Sequence, residues 1–196
     1  EEVGEVMRDD EVRAPFPWFG SKRRAASLVW QALGNVDHYV EAFAGSAAVL
    51  LARPHVGRCE TINDADGMVS NFWRAVKGAP DAVADHCDWP VIEADLHARH
   101  GWLIGQRESL TERLIADPEW FDAKAAGWWC WGACAWIADG WCGERPYRKL
   151  PHLGNTGMGV HSERGADWKA LTRRLASVDV ACGDWRRVST PTVLFR

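Results

Sequence analysis

At 196 residues, with 47% hydrophobic and 26% charged side chains, the chain is long enough to bury a core of its own, as one domain or one domain carrying an insertion. No apolar run has the length of a signal peptide or a membrane-spanning helix. The formal charge of −4 is unevenly placed: Glu1, Glu2, Glu5, Asp9, Asp10 and Glu11 stand against Arg8 alone, so the body beyond residue 12 is not acidic. Residues 1–13 therefore read as an acidic leader, disordered or poorly packed.

Six cysteines (Cys59, Cys87, Cys130, Cys134, Cys142 and Cys182) lack CxxC spacing and read as reduced thiols in a cytoplasm. A zinc site from Cys130, Cys134, Cys142 and His152 is conceivable, whereas His97 and His100 read as ordinary helix-surface residues. Seven of the thirteen tryptophans fall between Trp89 and Trp136. Such a concentration serves either packing in a small helical region or stacking on nucleobases.

After the leader, Pro15 and Pro17 keep the chain extended, Gly20 permits a turn, and Ser21 can cap a helix with Lys22, Arg23 and Arg24 in its first turn. Cations at that end oppose the helix dipole, which suggests an anionic partner or a solvated basic turn. Val40 to Leu51, VEAFAGSAAVLL, then has the form of a short apolar strand, a bend at Gly45 and a small-residue helix. Small side chains at Ala44, Ser46, Ala47 and Ala48 let a ligand approach the backbone, and α/β folds present backbone NH groups to nucleotide-sized ligands at such a turn. The same sequence also serves a purely structural turn.

Arg58–Ile62 reads as a second strand, and Asn63–Lys77 as the helical stretch after it. Asp64 lies 19 residues beyond Gly45, where a nucleotide-binding unit places a carboxylate on the ribose hydroxyls. Asp64 or Asp66 can equally cap the helix. Gly78–Leu103 is less regular, punctuated by Pro80 and Pro90. Ile104–Ala116 and Ala123–Ala138 read as helices, the second buried. Trp141–Gly165 has the composition of a long, mildly basic loop, suited to phosphate contact or to simple disorder. Asp167–Ala176 reads as a helix and Val178–Cys182 as a strand. Asp184 is then a second acid at a strand end, able to accept from an adenine amino group with Trp185 over the ring, or to make a plain turn. Val193, Leu194 and Phe195 begin a further strand.

Taken together, these stretches resemble the D12 class of adenine-specific DNA N6-methyltransferases, the group containing Dam-like enzymes. PWFGSKRR is similar to their N-terminal cofactor motif, EAFAGSAAVLL to the glycine motif, INDAD to the ribose motif and CGDW to the adenine-contacting strand end. The resemblance implies an α/β, Rossmann-like S-adenosylmethionine-dependent fold, with a cofactor domain over 14–78 and 166–196 and a helical, loop-rich target-recognition insertion over 79–165. It implies cofactor contacts at Trp18, Lys22, Phe43, Gly45, Asp64 and Asp184. It further implies contacts to double-stranded DNA from Arg145, Arg148 and Lys149, no metal, no membrane, and a cytoplasmic setting in a bacterium or a phage-infected cell.

Ala42 stands where a proline is common and Ala47 where a second glycine is, a departure expected to adjust cofactor packing. The family's DPPY motif, which holds the target adenine, occurs nowhere in the 196 residues. The expectation is therefore a fragment, or the ordered portion, of a longer enzyme, which by itself binds cofactor weakly if at all and transfers no methyl group. The alternative is a non-catalytic DNA-binding or regulatory protein on the same fold.

Overall fold

The computed structural model describes residues 12–55, 57–136, 141–143 and 167–190. Its centre is a parallel sheet in the order β1-β2-β3, formed by β1 (His38–Glu41), β2 (Cys59–Asp64) and β3 (Val178–Cys182). In register, His38 faces Cys59, Glu41 faces Ile62, Glu60 faces Val178 and Asp64 faces Cys182. All carboxyl ends therefore lie along one edge. Strand β2 is central and buried over Glu60–Asn63, as expected of a parallel strand covered on both faces.

The helices are α1 (Ala26–Leu33), α2 (Ala48–Leu51), α3 (Gly67–Gly78), α4 (Pro80–Cys87), α5 (Glu93–Ala116), α6 (Ala123–Ala135) and α7 (Trp168–Leu175), with 3-10 turns at Arg23–Ala25 and Trp185–Arg187. Helix α3 is buried from Gly67 through Val76. It is fastened to β3 by Arg74, whose Nε donates to Val180 O (2.9 Å), and by Lys77, whose Nζ donates to Val178 O (2.7 Å). Arg74 Nη1 also donates to the carbonyls of Leu114 (3.0 Å) and Asp117 (2.9 Å), closing the carboxyl end of α5. Burial lowers the pKa of this guanidinium, and a cation at a helix carboxyl end complements the dipole there.

An aromatic core joins the segment before α1 to α3 and α6. Phe16 packs on Phe72 (5.0 Å) and Trp129 (4.8 Å), and Phe72 on Trp73 (5.0 Å). Trp30, Trp73, Trp129 and Trp131 are buried, while Trp89 and Trp185 are the exposed tryptophans, at 49% and 43%. Packing thus accounts for most of the tryptophan excess. Arg99 joins it, its guanidinium lying over Trp128 (4.9 Å) and Trp131 (4.3 Å).

Several sequence expectations are corrected. Gly78–Leu103 is helical for most of its length, as α4 and the first half of α5. The two prolines start helices instead of interrupting them: Pro80 occupies the first turn of α4, where no NH is needed, and Pro90 precedes α5. Ser21 caps nothing; its hydroxyl lies 3.0 Å from that of Ser46. His100 is buried, stacked on Trp136 at 4.8 Å, and is no surface residue. Burial lowers its pKa, aided by His97. The helix expected behind Asp64 or Asp66 begins at Gly67, and β3 and α7 likewise fall where the sequence places them.

All six cysteines are free. Among the described residues no group of three His, Cys, Asp or Glu side chains is placed to hold a metal ion, and no helix is long and apolar enough to cross a membrane. The leader through Glu11, Arg145, Arg148, Lys149, His152 and Val193–Phe195 lie outside the described residues.

Candidate functional site

The site is built where the three strands end. Strand β1 stops at Glu41 and the chain turns through Gly45, at φ +47°, and Ala47, at φ +48°, into α2. Both residues are left-handed, so the position where the family commonly has a second glycine carries an alanine in a conformation that favours glycine. Gly45 has a second reason to lack a side chain: a Cβ there would lie 2.2 Å from Trp18 Nε1. Trp18 therefore rests directly on the turn. With the Ser21–Ser46 contact, it docks the PWFGSK segment on the glycine motif.

The turn spends much of its hydrogen bonding internally. Gly45 N donates to Asp64 Oδ2 (2.9 Å), Ala44 N to Asn63 O (2.8 Å) and Ala47 N to Ala44 O (2.7 Å), while Gly45 O accepts from Trp73 Nε1 (2.9 Å). The expected presentation of backbone NH groups does not extend to these three amides. The physical reason is burial: Ala44 and Ala47 are 5% and 0% exposed, Gly45 between them is buried too, and a buried amide must find a partner. What the turn leaves outward is Phe43, 64% exposed.

Asp64 closes the central strand. Its Oδ2 accepts from Gly45 N and its Oδ1 from Asp66 N (2.9 Å), which fixes the carboxylate in one orientation. Asp66, two residues on, caps α3 by accepting from Met68 N (2.9 Å). The choice left open by the sequence is thus divided: Asp66 is the cap, and Asp64 stands before it at the strand end. Next door, buried Asn63 donates from Nδ2 to Ala42 O (3.1 Å) and to Gly183 O (2.9 Å), tying the chain beyond β1 to the chain beyond β3. Gly183 N donates to Asp64 O (2.9 Å). Gly45, Asp64 and the Gly183–Asp184 turn consequently share one edge of the sheet.

Asp184 starts the 3-10 turn, accepting from Arg186 N (2.8 Å), with its carboxylate half-exposed and 3.4 Å from Arg186 Nη1. Trp185 follows it, exposed, with the Arg186 guanidinium 5.6 Å from its ring. Lys22 is exposed and close enough to Glu41 to draw that carboxyl's pKa down.

Two residues of this site were not singled out in the sequence. Asn63 is one. The other is Glu41, buried at the end of β1, whose Oε2 accepts from Leu50 N (2.9 Å) and Tyr39 OH (3.3 Å). Helix α2 has Ala47 at its amino cap and so no cap of its own; Glu41 supplies the acceptor from the neighbouring strand. Burial raises the pKa of Glu41, against the pull of the Leu50 amide, the Tyr39 hydroxyl and Lys22. Burial and the Glu41 charge raise that of Tyr39 in turn. The signal available in the sequence was a lone acid closing an apolar strand ahead of a helix without a capping side chain.

Residues 18–98 match the family model of the D12 class N6 adenine-specific DNA methyltransferases. No curated protein matches the chain in sequence. The methyltransferase match spans Trp18, Lys22, β1, the Gly45 turn, β2 with Asp64, α3 and α4, and ends within α5. The first motif from Trp18 onward and the next two therefore lie inside it, and the fourth, CGDW, lies beyond it. The matched region and that fourth motif are nonetheless joined, because Gly183 is hydrogen-bonded to both Asn63 and Asp64.

Proposed function

We propose that the chain carries the cofactor site of a DNA adenine N6-methyltransferase with S-adenosylmethionine as the methyl donor. The observation that carries this reading is the meeting of Gly45, Asp64 and Asp184 at the carboxyl edge of a parallel sheet, the place where open α/β sheets take their ligands. Asp64 fits a ribose: each oxygen is held by one backbone amide and retains a lone pair for a hydroxyl. Asp184 and Trp185 offer an acceptor and a ring face to an adenine, and Phe43 a second apolar surface. Lys22 supplies a cation for the methionine carboxylate, and Trp18, seated on Gly45, limits how deeply any ligand enters.

When bound, S-adenosylmethionine supplies an electrophilic methyl group on a sulfonium. The residues of this chain would bind and orient it: Asp64 and Asp184 would hold the two ends of the adenosine, and Lys22 the amino-acid end. The substrate in this reading is duplex DNA with the target base turned out of the stack, contacted by Arg145, Arg148 and Lys149 within the 79–165 recognition insertion.

The test is calorimetry with S-adenosylhomocysteine on the unaltered chain and on Asp64→Asn, Asp184→Asn and Lys22→Ala. Binding that falls about tenfold or more in Asp64→Asn supports the reading, since a hydrogen bond to a charged group contributes about 1.5–3 kcal/mol. Equal affinity in all four proteins overturns the assignments.

A further inference from the structure

Arg107 sits in the second half of α5 and reaches two places at once. Its Nη2 donates to Asp66 Oδ2 (3.2 Å), and its Nη1 donates to the carbonyl of Cys142. Asp66 N in turn is bonded to Asp64 Oδ1 (2.9 Å), and Asp64 Oδ2 to Gly45 N (2.9 Å). A continuous line of bonds thus runs from Cys142 through Arg107 and Asp66 to the carboxylate at the end of β2. Cys142 stands at the start of the mildly basic stretch 141–165, in which Arg145, Arg148 and Lys149 fall.

The far end of that line is strained. Cys142 has φ +53°, a left-handed conformation that a residue with a side chain adopts only under constraint. Its constraints are the Arg107 bond to its carbonyl and a bond from its amide to His100 Nδ1 (3.4 Å). Its thiol is buried. Burial raises the thiol pKa, the Asp66 carboxylate raises it further, and the Arg107 guanidinium draws it down, which places all three groups within electrostatic reach. Release of those two bonds would let Cys142 leave this conformation, and a second arrangement of that kind is what coupling between distant sites requires.

We propose that Arg107 is a positioning residue that couples the root of the basic stretch, at Cys142, to the cofactor carboxylate Asp64. The proposal rests on the cofactor reading of Asp64 given above. Ligand on Asp64 stiffens Asp66, Asp66 fixes the guanidinium, and the guanidinium holds Cys142 in its left-handed state. By linkage, holding Cys142 strengthens cofactor binding by the same factor.

Cys142 itself reports the coupling. The unaltered chain and Arg107→Met are treated with N-ethylmaleimide, with and without saturating S-adenosylhomocysteine, and labelling of each cysteine is followed by peptide mass spectrometry. Cys87, whose thiol donates to Gly127 O, and Cys130, both buried, report general opening of the fold and correct for global stabilisation by ligand. The expected result is that ligand slows Cys142 labelling by about fivefold or more beyond its effect on Cys87 and Cys130, the lower end of typical coupling. In Arg107→Met that excess protection disappears, and affinity for S-adenosylhomocysteine falls by a similar factor. Arg107→Lys, which keeps one of the two bonds, restores part of it.

If calorimetry shows no S-adenosylhomocysteine binding to the unaltered chain, the cofactor reading fails and this inference with it. If the ligand binds but Cys142 is protected no more than Cys87 and Cys130, or Arg107→Met keeps the excess protection, Arg107 is a staple between α5 and α3 and the coupling is refuted.

Discussion

Replacing Gly45 with alanine adds one methyl group at a residue with φ +47°, where that methyl would stand 2.2 Å from Trp18 Nε1, 2.7 Å from Cε2 and 2.8 Å from Cδ1. The backbone part of the cost is about 1–2 kcal/mol for a left-handed alanine, reduced by about 0.4–1 kcal/mol because alanine has less freedom to lose from the unfolded chain. The steric part is larger. Carbon contacts settle near 3.5–4.0 Å, so the indole must retreat by about an ångström or more. It has little room to do so, because it packs against Phe16 at 6.0 Å and Trp129 at 6.2 Å. Overpacking of this kind costs about 1–3 kcal/mol. We therefore expect Gly45→Ala to lose about 2–4 kcal/mol in urea unfolding. Since each kcal/mol moves Tm by about 2–4 °C at this chain length, the midpoint falls by roughly 5–15 °C. The two parts separate in a cycle: in a Trp18→Leu background the same substitution costs only its backbone share, about 1 kcal/mol. Equal costs in both backgrounds would show that Trp18 does not rest on the turn. A cost under about 0.5 kcal/mol in the unaltered background would show that Gly45 is not left-handed.

Three further outcomes test the surrounding architecture. Glu60, with its side chain 1% exposed, holds Arg53 (3.0 Å) and Arg174 (2.7 Å), so Glu60→Gln leaves two guanidiniums without their counter-charge and should cost about 3–5 kcal/mol by urea unfolding; a loss below about 1 kcal/mol contradicts the network. Burial holds the Glu41 carboxyl above its ordinary range, so the folded state prefers it protonated. Its contribution is thus fully present below the ordinary carboxylate range and is lost as pH rises through the raised folded value. Tm measured from about pH 4 to 7 should show the unaltered chain losing ground to Glu41→Gln as pH rises, with the opposite trend ruling the assignment out. Asn63→Asp exchanges a donor shared by two carbonyls for a buried acceptor, and a loss of about 3 kcal/mol or more at neutral pH is expected, shrinking in acid as the carboxyl regains a proton to donate.

The sheet was legible because its strands are local patterns. Val178–Cys182 is a short β-prone run between a helix and a Gly–Asp turn, and β2 ends at the acid that the sequence reading had placed at a strand end. The helices between α3 and the Trp-rich α6 were read poorly because Pro80 and Pro90 look like interruptions until it is known on which side of them the helix lies. The choice between Asp64 and Asp66 as cap was undecidable from spacing, since both stand at the right distance and only the carboxylate nearest Met68 N takes the role. Burial of His100 depends on Trp136 and Trp141 returning from later in the chain to cover it. The link between Arg107 and Cys142 joins residues 35 apart with no periodicity to announce it.

The same limit explains why the glycine turn behaves otherwise than its sequence suggests. Small residues from Ala44 to Ala48 are compatible with two arrangements, one in which a ligand comes close to the backbone and one in which the protein's own side chains do. Trp18 from before the turn and Trp73 from α3 take the second role at Gly45, one against its Cα and the other on its carbonyl, while Asp64 takes its NH. A turn so enclosed contributes to binding less as a cradle than as a brace. It fixes the Asp64 carboxylate against the end of the central strand, where Asn63 has already drawn the two neighbouring chain segments together. Preorganisation of that acid costs nothing at the moment of binding, because both of its oxygens are already aligned by backbone amides of the folded chain.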